Sequence, residues 1–401
     1  MRVTPDRLLD DVLAAFAFLA PVIAATAPVG EAPLLIVASV LGIAVARWRD
    51  GYWSRPDPVL MGLMLVFLGW GWASTLWAAT PRGAWTQAWQ LSYTFIPAVW
   101  FLGVARDTSD WQRRMVGSAF LAGVGVAALV TALNVYDHLL VHYALRLKAN
   151  DFDNLVLIDR NMVVLSALVW VAVALAWHRG WRWLAAVLPV ALWLVQIGAE
   201  SKSAKLGSTL ALAACAAMLV RPRLAWRGLG AVIVIVFVAA LPIALSFQAL
   251  GLRTDPDITM SMRHRAEIWS FAAHRALERP WLGWGLDGSR TLPGVHEVVT
   301  LLPWEQAQVM PVHPHDAYLQ VWLELGAVGA ALALGFSLLV WYRVGRLPSP
   351  QRECGVAVIA GFLGMVWTSY GIWQTWWSGT MLIVALLFSL TLPRTQPAAV
   401  V

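Results

Sequence analysis

Charge is scarce in this chain. Asp, Glu, Lys and Arg make up 13% of its 401 residues, against roughly 25% in an ordinary soluble domain. That deficit excludes a water-facing surface over most of the molecule. Cysteine is nearly absent. Cys215 and Cys354 each fall in or beside an apolar run, which excludes a disulfide framework or a thiolate metal site. No internal repeat is visible, so an inverted-repeat transporter design finds no support. The first apolar run lacks a convincing A-x-A cleavage site and is expected to stay as a first span. Lysine is rare as well: of 29 Lys and Arg, three are lysines, Lys148, Lys202 and Lys205.

Hydrophobic residues fill the space, at 59% of the chain. Apolar runs near twenty residues recur along its length, as in a polytopic membrane protein. The runs are continuous, not alternating, so the spans are helices and not barrel strands. The expected spans are 8–27, 31–47, 58–78, 87–105, 115–134, 161–178, 183–199, 204–220, 229–248, 317–342, 355–373 and 376–392. The fold class is therefore all-α, a transmembrane bundle of about twelve spans. Many of the 25 Trp sit near span ends, among them Trp48, Trp85, Trp181 and Trp304, as interfacial anchors do.

Arginine recurs in the short loops on the N-terminal side, at Arg47, Arg49, Arg106, Arg113, Arg343 and Arg346, while the opposite turns at 28–30 and 374–375 carry none. The N-terminal side is then cytoplasmic. Three regions follow: spans one to nine over 1–248, a large helical outer loop over 249–316, and spans ten to twelve with a short tail over 317–401. The outer face nevertheless carries Arg82, Arg146, Lys148, Arg160, Lys202, Lys205, Arg253, Arg263, Arg265, Arg275, Arg279 and Arg290. Topology does not ask for those cations, and an anionic ligand at the outer leaflet does.

The outer loop holds the polar segments. Met262, Ala266, Trp269, Ala273 and Leu277 mark an amphipathic helix that ends at Pro280, with GWGLDG as a turn. Arg265 lies one turn before Trp269, near the apolar stripe. Arg263, Arg275 and Arg279 read more simply as solvated surface charges. His313 and His315 flank Pro314 and point the same way if the segment is extended. Two ligands are too few for a metal, whereas one histidine can serve as a general base. The plainer alternative for either is a helix-capping histidine. Asp316 is placed to N-cap the next span. Lys202 and Lys205, between two apolar runs, either snorkel or face a cavity. Arg160 reads similarly. Asp151-Phe152-Asp153 resembles the D-x-D of metal-dependent glycosyltransferases, a weak signal on the outer side.

In this order the pieces resemble the O-antigen ligase family, over about Asp159 to Gly329. Asp159-Arg160-Asn161 opens a span. Ser201 to Gly207 is similar to the family's S-R-G-x-x-L-G, with Lys202 where arginine is usual. Arg265 to Trp269 fits R-x-x-[IL]-W, and Arg279 to Leu286 fits its R-P-W-L-G-W-G-L turn. His313 to Asp316 fits H-x-H-N with aspartate for asparagine, and Gly326 and Gly329 follow at the family's spacing.

The resemblance implies a GT-C-like enzyme of the bacterial inner membrane with its site facing the periplasm. It would transfer O-antigen from undecaprenyl pyrophosphate to lipid A–core oligosaccharide, with inversion, with no metal or other cofactor and with no nucleic-acid partner. Arg265, Lys202, Arg160 and Lys205 would hold the pyrophosphate, Arg265 also acting in catalysis, with His315 or His313 as base. The spacing favours His315. An O-antigen polymerase is the nearest alternative, but two lipid-linked substrates would ask for two arginine-rich clusters. A lipid flippase would need charges in mid-span.

Overall fold

In a computed structural model the described residues are 4–136, 151–199 and 201–393, with the side chains of Tyr136 and 151–157 left aside. Arg146 and Lys148 fall outside these residues, and the Asp151 and Asp153 side chains are among those left aside.

The helices are α1 Pro5–Thr26, α2 Glu31–Asp50, α3 Pro58–Ser74, α4 Pro81–Arg106, α5 Asp110–Tyr136, α6 Asp151–His178, α7 Arg182–Gly198, α8 Lys202–Val220, α9 Pro222–Val238, α10 Ala240–Ala249, α11 Met260–Glu278, α12 Ala317–Gly345, α13 Gln351–Thr368 and α14 Thr375–Thr391. Their starts are chemically marked. Proline opens α1, α3, α4 and α9 at a position whose N–H would be unpaired anyway. Asp57, Ser201 and Asp316 accept first-turn N–H groups at α3, α8 and α12.

Each expected span overlaps helix, and the chain is a multi-pass membrane protein. Six helices are long and apolar enough to cross a bilayer, and the α9–α10 pair makes a seventh if counted as one broken span. The helices α3, α7 and α14 are apolar but shorter.

Three expectations need correction. The ninth run is not one helix: it starts at Pro222 and bends by 71° between α9 and α10. The eleventh stops at Thr368, so 369–374 is a turn and not the end of a span. The outer loop is not wholly helical either, because Val298–Leu302 (β1) pairs antiparallel with Glu305–Gln308 (β2).

Polar contacts sort into two ends of the bundle. At one end Asp57 takes Arg106 at 2.9 Å and Arg343 at 2.7 Å, and Gln112 reaches Asp10 at 2.7 Å. At the other end the Trp284 carbonyl accepts Ala79 N–H at 2.9 Å. There too Gln87 bonds the Trp373 carbonyl at 2.9 Å and Tyr370 bonds Asp159. That second end gathers the outer helix, the histidines and the 369–374 turn.

The turn after α11 packs backbone against backbone on α12. Gly283 and Gly326 both have positive φ, and a Cβ at Gly283 would lie 2.4 Å from the Glu324 carbonyl carbon. A Cβ at Gly326 would meet the Trp281 oxygen at 2.3 Å. Only glycine allows that approach. It breaks α12 at Gly326 and seats the outer loop on the bundle.

Candidate functional site

The His-Pro-His segment is held from two sides. From α11, buried Trp269 donates its indole N–H to the Pro314 carbonyl at 2.9 Å. From the other side comes the 369–374 turn. Its Ser369 carbonyl accepts His315 Nδ1–H at 2.9 Å, and its Gly371 N–H faces His313 Nε2 at 3.1 Å. His315 has φ 55°, the left-handed region, a costly conformation that surrounding contacts must hold.

The two rings are 4.3 Å apart between centroids but differ in what they have left to offer. His313 Nδ1 faces the His315 N–H at 3.2 Å, so both of its nitrogens are turned to backbone N–H groups. In His315 the Ser369 bond fixes the proton on Nδ1, which leaves the Nε2 lone pair open to accept a proton. Burial, with the nearby His315 and Arg290, pushes His313 down to about 3. Burial also lowers His315; the Ser369 carbonyl pulls it back up, and Arg265 and His264 push it down.

The low pKa of His313 has a consequence for stability. Between its folded value, about 3, and its ordinary value of 6.5, the unfolded chain binds the extra proton. Stability from this group is therefore full above 6.5 and declines as pH falls toward 3. Going from pH 7 to 5 should cost about 2 kcal/mol. Thermal unfolding in lipid nanodiscs should show that loss, and His313→Gln should remove it. Parallel pH curves for the variant and the wild type would contradict the assignment.

The outer cations divide by partner. Arg253 pairs with Glu267 at 2.7 Å, Arg275 with Glu278 at 2.8 Å and Arg290 with Asp287 at 2.9 Å. Arg263, expected as a solvated charge, is instead buried: its fork spans both Glu305 oxygens at 2.6 and 3.1 Å and ties α11 to β2. Arg279 lies over the Trp284 ring at 4.0 Å, and Arg82 is exposed.

Arg265, Arg160, Lys202 and Lys205 form no ion pair among the described residues. Arg265 is half-buried and points toward His315 and Asp159: burial lowers its pKa and the Asp159 charge raises it. Arg160 lies over the Trp376 ring at 5.5 Å, with its Nε buried and unbonded. Lys202 is exposed at the first residue of α8. The next residue, Ser203, accepts the Thr368 hydroxyl at 3.5 Å, so α8 begins beside the Ser369 that holds His315.

Several site residues escape a linear reading. Tyr370 bonds Asp159 from the turn that reads as span. Its signal was available in Tyr370-Gly371-Ile372-Trp373-Gln374, an aromatic and polar interruption between two apolar runs. Glu324, fully buried in α12, accepts from Asp287 N–H at 2.5 Å, Ser289 O–H, Gln320 at 3.0 Å and Trp373 Nε1–H at 2.6 Å. It binds the outer turn to the 369–374 turn. A lone carboxylate within a span is a functional flag in itself.

This arrangement offers cations that form no ion pair among the described residues and, next to Arg265, one imidazole nitrogen free to take a proton. Among the described residues no group of three or more His, Cys, Asp or Glu could hold a metal ion. Residues 190–334 match the O-antigen ligase family model. That segment of the chain is similar to the O-antigen ligase family. The matched segment contains Lys202, Lys205, Arg265, both histidines and Glu324, while Arg160 and the 369–374 turn lie outside it. The chain is also similar to a protein of Rickettsia prowazekii, 26% identical over 341 residues, covering 80% of this chain and 78% of the relative. Another, from Rickettsia typhi, is 25% identical with the same coverage. Both are named "Putative polysaccharide ligase". No solved structure matches the chain.

Proposed function

We propose that the protein is an O-antigen ligase of the bacterial inner membrane, with twelve spans, both termini cytoplasmic and its site at the periplasmic face. The observation that carries this reading is the company His315 keeps. Its free Nε2 stands near outer cations that form no ion pair among the described residues. Arg265, Arg160, Lys202 and Lys205 hold the pyrophosphate of an undecaprenyl-linked glycan. A hydroxyl of the lipid A–core oligosaccharide attacks the anomeric carbon and gives its proton to His315 Nε2. The C–O bond to the pyrophosphate breaks, its electron pair leaves on the phosphate oxygen, and the anomeric centre inverts. Arginines stabilise the leaving charge where a metal would otherwise be required.

The reaction is therefore expected to proceed at an undiminished rate in EDTA. Loss of transfer with rescue by a divalent cation would contradict the mechanism. For topology, single cysteines at the exposed positions Thr300 and Arg346 should differ in intact spheroplasts. An impermeant maleimide should label the first and spare the second, and the reverse pattern would move the site to the cytoplasm.

One unpaired cation group among the described residues favours ligase over polymerase, which would handle two lipid pyrophosphates. The deciding experiment is the lipopolysaccharide of a deletion strain. Core without O-antigen, with long lipid-linked polymer accumulating, is the ligase outcome. Core bearing one repeat unit is the polymerase outcome.

A further inference from the structure

His313 borders a second feature that the chemistry above does not use. On the side lined by the outer turn and α4 lies a narrow cleft with room of about 20 Å³, enough for a water or one sugar hydroxyl. Gln87, Asp287, Arg290, His313, Trp373 and Gln374 line it.

Its charge balance sets it apart from the cation cluster. Its one cation, Arg290, is neutralised by Asp287 at 2.9 Å, and His313 is held neutral, so the lining carries no net charge. A phosphate therefore gains little there. The remaining groups are carboxamides with hydrogen-bonding capacity left over. Gln87 uses its amide nitrogen on the Trp373 carbonyl at 2.9 Å, which leaves its oxygen. Gln374 uses its oxygen on Trp376 Nε1–H at 2.9 Å, which leaves its NH₂. Arg290 spends Nε on Asp287 and keeps its terminal nitrogens, half exposed.

A neutral lining of amide donors and acceptors, one paired Asp–Arg and an indole is the chemistry that recognises hydroxyl groups on a sugar ring, each both donor and acceptor. The cleft's size admits one hydroxyl at a sugar's edge, not a whole ring or a chain. Its His313 wall is 4.3 Å from the His315 ring, so a sugar edge seated there keeps a neighbouring hydroxyl within reach of the reacting centre.

We infer that the Gln87–Gln374 cleft is the subsite for the accepting sugar, with the donor pyrophosphate on the opposite, cationic side of the histidine pair. The inference rests on the ligase reading, and the test separates the two. Core oligosaccharide freed of lipid A is titrated against the full chain in nanodiscs, with intrinsic tryptophan fluorescence as readout, and transfer kinetics are measured in parallel. Gln87→Ala and Arg290→Gln should each weaken oligosaccharide binding tenfold or more. They should raise the acceptor KM equally and leave the donor KM within threefold. Lys202→Ala should show the opposite split.

Wild-type oligosaccharide binding in both variants, with transfer intact, overturns the subsite and spares the ligase reading. A raised donor KM with unchanged acceptor KM also overturns it, by giving the cleft to the donor glycan. Oligosaccharide binding that falls tenfold in both variants, in a wild-type protein that transfers nothing, upholds the subsite and refutes the ligase reading.

Discussion

Arg265→Ala should lower the rate of glycan transfer about a hundredfold, and Arg265→Lys nearly as far, when both are assayed with purified protein in matched lipid. The size follows from what holds the side chain and what does not. Trp269, one helical turn on, fixes α11 to the Pro314 carbonyl at 2.9 Å. Arg265 is thereby carried to the histidine pair, half-buried, with no carboxylate bound to it. Desolvation strengthens any contact it makes with an arriving phosphate, and the contact tightens as negative charge develops on the leaving group. Removing one such preorganised donor costs about 3 kcal/mol, on the order of a hundredfold in rate. Lysine keeps the charge but loses the planar fork, so it rescues little. Arg275→Ala is the control: its exposed pair with Glu278 contributes about 0–1 kcal/mol, and transfer should stay within a few-fold of wild type. Wild-type activity in Arg265→Lys would remove the bidentate contact from the mechanism.

His315→Ala should lose about 10²–10⁴ in transfer, the range for a general base, while donor binding is nearly unchanged. His313→Ala should lose less. The difference lies in the lone pairs. His315 spends Nδ1–H on Ser369 and keeps Nε2, whereas both His313 nitrogens face backbone N–H groups. The pH profile provides a second check. A base must be neutral to act, and burial together with the Arg265 and His264 charges lowers the His315 pKa from 6.5. The acid limb of kcat/KM should therefore fall below pH 6.5, and Arg265→Gln should move it upward by removing one of those charges. A dead His313→Ala beside an active His315→Ala would reverse the roles. Activity in both would leave leaving-group stabilisation to carry the reaction alone.

The parts of the molecule legible from sequence are those set by local chemistry. Apolar runs fix helix positions because a bilayer permits little else, and Asp316 N-caps α12 through Tyr318 and Leu319 N–H. What escaped depends on contacts distant in sequence. The solvated look of Arg263 dissolves once Glu305, 42 residues later, is folded over it. The ninth run bends at Ala239, where Pro242 leaves the Val238 carbonyl without its helical donor, but Pro21, Pro97 and Pro189 lie inside helices that continue, so a proline alone does not tell a broken span from a straight one. Ser369 and Tyr370 look like the end of a span because their use depends on His315 and Asp159 arriving from elsewhere. Even the choice between the two histidines is open in the sequence, since the hydrogen bond that decides the tautomer comes from a carbonyl 54 residues away.

The 369–374 turn lies between α13 and α14 and leaves the ribosome after α11, the histidines and α12. Every group on which the proposed chemistry depends is already made by then. Without that turn His315 has no carbonyl to hold its proton on Nδ1, Asp159 has no Tyr370, and Glu324 lacks its Trp373 donor. A nascent chain halted before α14 inserts would hold cations and histidines in the membrane without aligning them. Biogenesis itself then acts as a safeguard: the lipid-linked glycan pool meets a working centre only when the whole chain has entered the bilayer.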